Sequence, residues 1–498
     1  MDLQDYTNIL YNTEQKTDVN QFQSNGIELW PLYRHQTINI FRNTEAYYAK
    51  RVENKVKDNF IKNFLRFIYY KTIHYKKFIS YINNCLKEES IDVLLYSKNA
   101  THSDQIDNSW YDKFVDPFYE LLNANYKVKK LELILPKDLP KDKRVIKTTF
   151  IDIKNFEDYY LHANKNNKSL DLSEITKEYS DLTGIDFVNK RVSHAFYEIL
   201  KYKEIFTLIL KRLKPKFIFL KCYYEYDSFG LVLAAKELGI KTIDVQHGKQ
   251  GIYHPMYTHF SKIPVCGYQL LPDYFWNWGE ESKVNIEKWQ NNKMTHQAIV
   301  GGNLWLAKWK FTDFYKCNND EENRFIDSFK KCERVILYST QPITGEGIIP
   351  EHIVETIQCS PSNWIWLIRV HPFQKLTEEE ILRVIGNSKA KVEIKYSTEL
   401  PLYFLLKKVT HHIALWSSTC FEANEFNIPT IISHTFGGKL YEEFFKSNVF
   451  FYSIHPDEII ELIQSNKKNE KCNYIETAEE ITKDALQKIG LKINKGYA

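Results

Sequence analysis

The strongest constraint on what this chain can fold into is a recurring unit. A short apolar, β-branched run ends in polar residues and gives way to a helical pattern. Its sharpest case is Trp364-Ile-Trp-Leu-Ile-Arg369-Val370-His371-Pro372. Such a run reads as a buried strand whose carboxyl end is polar. Pro372 ends the strand and biases His371 toward an extended backbone. In open α/β sheets, ligands sit in the crevice beyond the carboxyl ends of the strands. A cation and an imidazole placed there face a bound anion.

The unit repeats on both sides of this stretch. Before it come Asp92–Tyr96, Lys130–Leu135, Phe217–Leu220 and Thr242–Val245. Around it come Val335–Tyr338, Val392–Ile394, His412–Trp416, Thr430–Ile432 and Val449–Tyr452. Strands alternating with helical stretches predict parallel sheets covered on both faces. A chain of 498 residues exceeds what one core organises, so the expectation is an α/β fold of two Rossmann-like domains facing each other across a cleft. The predicted boundaries are a loosely held leader at 1–24, a first domain at 25–310, a linker at 311–331, a second domain at 332–474 and a helical end at 475–498 that crosses back. Residues 136–190, rich in Lys, Asn and Asp, read as an insertion. Near 45–86 an apolar stripe of Phe60, Phe64, Leu65, Ile68, Tyr75 and Ile79 opposes a basic face. A helix of this kind can lie on an anionic membrane. Packing on its own domain is the stronger reading, and a peripheral contact with the inner membrane stays open.

Composition excludes several classes. With 67 basic and 63 acidic residues, the net charge of +4 is too balanced for a protein whose main partner is a nucleic acid. The eight cysteines are scattered without a Cys-x-x-Cys pair, which argues against a zinc site or a disulfide framework and for a reducing, cytoplasmic setting. No apolar run approaches the ~20 residues that span a bilayer, and the polar start does not read as a signal peptide.

Four stretches could carry chemistry. Ser417-Ser418-Thr419 follows a strand and opens a helix, presenting hydroxyls and free backbone N–H groups to an anion together with Arg369 and His371. Thr419 and Glu422 also have the spacing of a capping box, so Thr419 divides evenly between a cap and a phosphate role. His247, in Gln246-His247-Gly248, follows the strand ending at Val245. A neutral imidazole there suits a general base. In the loop Thr101–Asp107, Asp104 and Asp107 could take a hydroxyl proton, although Asp is also a common turn residue. Finally, Thr344-Gly345-Glu346-Gly347 reads as a cleft loop that brings Glu346 to the donor, without the Lys of a Walker motif. No Asp-x-Asp pair and no Gly-x-Gly-x-x-Gly after a strand occur.

In order, His-Gly, Trp278-Gly279, Gly301-Gly302-Asn303, Arg-x-His-Pro and Ser-Ser-Thr-x-x-Glu-Ala resemble bacterial GT-B glycosyltransferases of capsule and lipopolysaccharide synthesis. The nearest patterns are those of polysialyltransferases, Kdo transferases and CDP-glycerol glycerophosphotransferases, over roughly residues 215–440. The polysialyltransferase resemblance implies that His371 and Ser417 to Thr419 hold the phosphate of a CMP-sugar. The glycerophosphotransferase resemblance implies His247 as base, with Gln246 where that family has Trp. Sialyltransferases of this fold use an acidic residue from the first domain, which implies Asp104 or Asp107.

The resulting expectation is a cytoplasmic glycosyltransferase. It moves a sugar, best a CMP-activated 3-deoxy-ulosonic acid such as Kdo or a sialic-acid-like nonulosonate, to a hydroxyl of a glycan or glycolipid. The destination is capsule, O-antigen or lipopolysaccharide. The donor lies mainly on the second domain and the acceptor on the first, with no cofactor and no metal required. The alternatives are a CDP-glycerol-type phosphotransferase and a non-catalytic glycan-binding subunit.

Overall fold

A computed structural model describes residues 3–41, 72–73, 75–86, 90–98, 102–134, 143–154, 156, 170, 172, 175, 177, 188–251, 253–341, 348–371, 374, 376–465 and 467–493. Two parallel sheets organise them. Across the first run Gln297–Val300, Tyr274–Asn277, Lys241–Val245, Phe217–Lys221, Val93–Tyr96, Val128–Ile134 and Thr148–Asp152. Across the second run Lys391–Glu393, Trp364–Arg369, Arg334–Ser339, His411–Ala414, Thr430–Ile432 and Phe451–Tyr452. Each sheet starts at its middle, builds to one edge, then returns and builds to the other. This is the doubly wound order in which ligands bind where the direction reverses. The expected fold, two Rossmann-like domains in the GT-B arrangement, is therefore observed.

The strands are nearly continuous apolar runs because helices cover both faces. Val93–Tyr96 is buried throughout, as are Trp364 to Ile368. The reversal in the first sheet lies between Val93–Tyr96 and Phe217–Lys221, and in the second between Arg334–Ser339 and His411–Ala414.

Several expectations change. The leader is not loose: Leu3–Lys16 is a helix with Tyr6 and Leu10 fully buried, and Glu14 accepts from Arg34 at 3.1 Å and from Trp30 Nε1 at 2.5 Å. Its polar composition hid a sparse stripe at i, i+4 spacing. Of the basic helix, Phe60, Phe64, Leu65 and Ile68 lie outside the described residues. Helix Tyr75–Cys85 buries Phe78 and Ile82 against the first domain's core, with Ile79 only half-buried. Most of 136–190 also lies outside, yet strand Thr148–Asp152 within it completes the sheet edge. The 311–331 stretch carries helix Asp320–Ser328. No helix among the described residues is long and apolar enough to cross a membrane.

The Trp278-Gly279 and Gly301-Gly302-Asn303 motifs find a structural use. Residues 472–477 run back across the junction. Glu476 N–H donates to Trp278 O at 2.7 Å, and Asn303 N–H donates to Glu476 O at 2.9 Å. A Cβ on Gly279 would stand 2.3 Å from Tyr474 O, and one on Gly301 would stand 2.0 Å from the Trp276 ring, so both positions require glycine. Helix Glu479–Ile489 then seats Ala485, Leu486 and Ile489 on the first sheet.

Candidate functional site

The carboxyl ends of both sheets open on one cavity of about 220 Å³. The second domain contributes Ser339 and Thr340 from its reversal point, Arg369 and His371 from the end of strand Trp364–Arg369, and Ser417, Ser418, Thr419 and Glu422 from the crossover after His411–Ala414. The first contributes Asp104, Lys113, Phe114, His247, Trp278, Asn303 and Trp305. Eight of the ten residues named from sequence therefore share one cavity, namely His247, Asp104, Arg369, His371, Ser417, Ser418, Thr419 and Glu422.

Asp107 and Glu346 are not among them. Asp107 and Asn108, both with positive φ (49° and 59°), form the two-residue turn of an antiparallel hairpin joining His102–Ile106 to Ser109–Asp112. That conformation suits Asp and Asn in tight hairpin turns, and it leaves Asp107 exposed. Its reading as a base is corrected. Glu346 lies outside the described residues.

His371 follows a strand whose outgoing backbone is tied down: its N–H donates to Thr340 Oγ1 at 2.9 Å. Burial, then the nearby Lys113, holds its imidazole below the ordinary range, so it is neutral. Arg369 has a different task from the one expected. Its Nη1 donates to Ser397 O at 2.8 Å and Leu400 O at 2.6 Å, so part of the guanidinium clamps the neighbouring loop. The Asp104 and Glu422 carboxylates also act on it.

The Thr419–Glu422 capping box does not form. Ser418 occupies the N-cap without a side-chain cap bond, and the Glu422 carboxylate instead accepts from the Tyr403 hydroxyl. Burial raises the Glu422 pKa. Freed from capping, Thr419 Oγ1 is buried with no hydrogen-bond partner among the described residues. The helix Thr419–Glu425 spans only seven residues, so the hydroxyls rather than a macrodipole are the donors offered to an anion.

Across the cleft, His247 Nε2 lies 3.2 Å from the Tyr224 hydroxyl, while Nδ1 is buried without a hydrogen-bond partner among the described residues. Burial first, then the positive charge of Lys221, pushes its pKa well below the ordinary value. Asp104 is buried and accepts from Trp305 Nε1 at 2.7 Å. Trp305 in turn stacks on Tyr111 at 4.2 Å. Lys113, Trp305 and Tyr403 escaped the sequence reading. The two aromatics are indistinguishable from core residues by pattern, and the placement of Lys113 depends on a hairpin the sequence did not announce.

No family model matches the sequence, and no curated protein matches it. Solved structures similar over most of the chain include a UDP-N-acetylglucosamine 2-epimerase at 13% identity, covering 82% of this chain and 100% of that one with a TM-score of 0.49. The Methanocaldococcus jannaschii UDP-GlcNAc 2-epimerase in complex with UDP-GlcNAc and UDP is 13% identical, covers 80% and 100%, and has a TM-score of 0.48. The wall teichoic acid polymerase TagF, soaked with CDPG, is 9% identical, covers 87% and 92%, and has a TM-score of 0.40.

Proposed function

We propose that this chain is a nucleotide-sugar-dependent glycosyltransferase acting on a hydroxyl of a cell-surface glycan or glycolipid. The observation that carries the reading is a pair of buried polar atoms in one cavity with no hydrogen-bond partner among the described residues, His247 Nδ1 from the first domain and Thr419 Oγ1 from the second. Each orphan costs about 1–3 kcal/mol unless a ligand satisfies it. With Nε2–H turned to Tyr224, the first offers a lone pair suited to a hydroxyl proton, and the second is a donor suited to a phosphate oxygen. The favoured donor, on the motif resemblance, is a CMP-activated 3-deoxy-ulosonic acid, and the favoured products are capsule, O-antigen or lipopolysaccharide made at the cytoplasmic face of the inner membrane.

In the proposed step, His247 or Asp104 takes the acceptor proton as the acceptor oxygen bonds to the anomeric carbon. The bond from that carbon to the phosphate oxygen breaks, and the electron pair leaves with CMP. His371 and the hydroxyls of Ser417, Ser418 and Thr419 stabilise that charge. Replacing His371 with alanine is expected to lower turnover by ~10²-fold or more with an unchanged thermal unfolding midpoint; near-normal turnover removes it from the site.

The donor is found by a thermal-shift screen against CMP, CDP, UDP, GDP and their sugars, followed by product analysis with the hit. A glycosidic bond supports the reading, whereas a phosphodiester assigns the cleft to CDP-glycerol-type phosphotransfer. Binding without nucleotide release assigns it to a non-catalytic glycan-binding subunit.

A further inference from the structure

The second domain holds little free positive charge for the phosphate it is proposed to grip. His371 is neutral, and Arg369 spends Nη1 on two carbonyls and faces the carboxylates of Asp104 and Glu422. The remaining cation in the cavity comes from the opposite side. Lys113 lines it, next to Phe114, and makes no hydrogen bond or ion pair among the described residues.

We propose that Lys113, carried by the first domain, binds the donor phosphate seated on the second, so that the bound nucleotide bridges the cleft. This rests on the nucleotide-donor reading above.

The turn that presents Lys113 is built rather than incidental. Asp112 Oδ1 accepts the N–H of Phe114 at 2.9 Å and that of Val115 at 3.4 Å, while Oδ2 accepts from the Ser97 hydroxyl. The Asp112 N–H donates to Asp116 Oδ2 at 2.8 Å, and the other Asp116 oxygen pairs with the buried Lys130 at 2.5 Å. A fully connected buried network of this kind fixes one geometry. It carries a lysine whose ammonium lies over the Phe114 ring and makes no hydrogen bond or ion pair among the described residues.

The charge distribution gives the ammonium a position. Lys113 acts on the His371 imidazole and also on Glu422. Asp104 and Glu422 both act on Arg369 and already accept from neutral donors, the Trp305 indole and the Tyr403 hydroxyl, while Lys113 is the leading charge on Glu422. The edge formed by Lys113, His371 and the Ser417 to Thr419 hydroxyls is therefore where an anion is favoured, and it draws on both domains.

The test titrates the full chain with CMP, CDP, UDP and GDP by calorimetry, comparing wild type with Lys113→Gln and Lys113→Arg. Loss of one charge-assisted bond to phosphate is expected to weaken the preferred nucleotide about 10- to 100-fold in Lys113→Gln. Lys113→Arg, which keeps the charge, should retain most of the affinity. Small-angle scattering should show nucleotide compacting the wild type but not Lys113→Gln. Equal affinity in wild type and Lys113→Gln overturns the assignment, and so does an equal loss in both variants. If Lys113→Gln fails to fold, Lys113→Met is titrated in its place and judged by the same affinity criterion. A wild type that binds none of the four nucleotides instead overturns the donor reading itself.

Discussion

Replacing His247 with asparagine is expected to lower turnover by ~10²–10⁴-fold, the range for removing a general base, while nucleotide affinity stays near that of wild type. Asparagine approximates the shape of the imidazole and can still meet the Tyr224 hydroxyl, which lies 3.2 Å from Nε2. It cannot take up a proton. With Nε2–H donated to Tyr224, the lone pair rests on Nδ1, the atom left buried and unpartnered at the cavity wall. The loss should therefore fall on kcat and not on donor binding.

The pH profile separates His247 from the other candidate. Burial and the Lys221 charge hold its pKa well below 6.5, so the neutral base persists as the solution is acidified past that value. The acidic limb of kcat is expected below 6.5, in contrast to an ordinary histidine whose activity halves there. An acidic limb at 6.5 would remove this imidazole as the base. If Asp104→Asn costs far more turnover than His247→Asn, the proton goes to Asp104 instead, whose carboxylate already accepts from Trp305.

How much of this was visible in the chain depends on what each residue needed. His371 and Ser417 to Thr419 were legible because a buried parallel strand reads as an apolar run, and a polar end on such a run marks the crevice. The same logic found His247. It failed for Asp104 and Asp107, which look alike in sequence and part company in space. A two-residue turn puts Asp107 outside, while a register shift between His102 and Asp104 opposes Asp104 to Tyr111 and turns it inward. Hairpin register is a long-range property that spacing does not reveal. The glycine motifs were visible but their structural use was not, since the chain that crosses them comes from residues 472–477, far away in sequence. Arg369 was found in the right place, but its clamp on two carbonyls was not legible, because nothing local announces which loop will pack against it.

That task makes Arg369 the second position where one substitution should have a large effect. In Arg369→Met the stem is preserved in bulk, but Ser397 O and Leu400 O lose their donor and the buried Asp104 and Glu422 lose a cation that acts on both. Removing one partner from a buried charge cluster costs about 3–5 kcal/mol, a large share of the ~5–15 kcal/mol that holds a typical domain together. Urea unfolding should show this loss at pH 7, and adding Glu422→Gln should recover part of it by removing one stranded charge. Without the guanidinium, Glu422, already raised by burial, rises further above its unfolded value. A carboxyl raised on folding binds its proton more tightly in the native state, so its penalty grows as pH rises through the folded pKa and is relieved on acidification. The gap between wild type and Arg369→Met should therefore narrow as pH falls from 7 toward about 4.5, the ordinary value for this group. A gap that is small at pH 7, or that widens on acidification, would mean the arginine is free to meet a ligand and is not the internal clamp its hydrogen bonds describe.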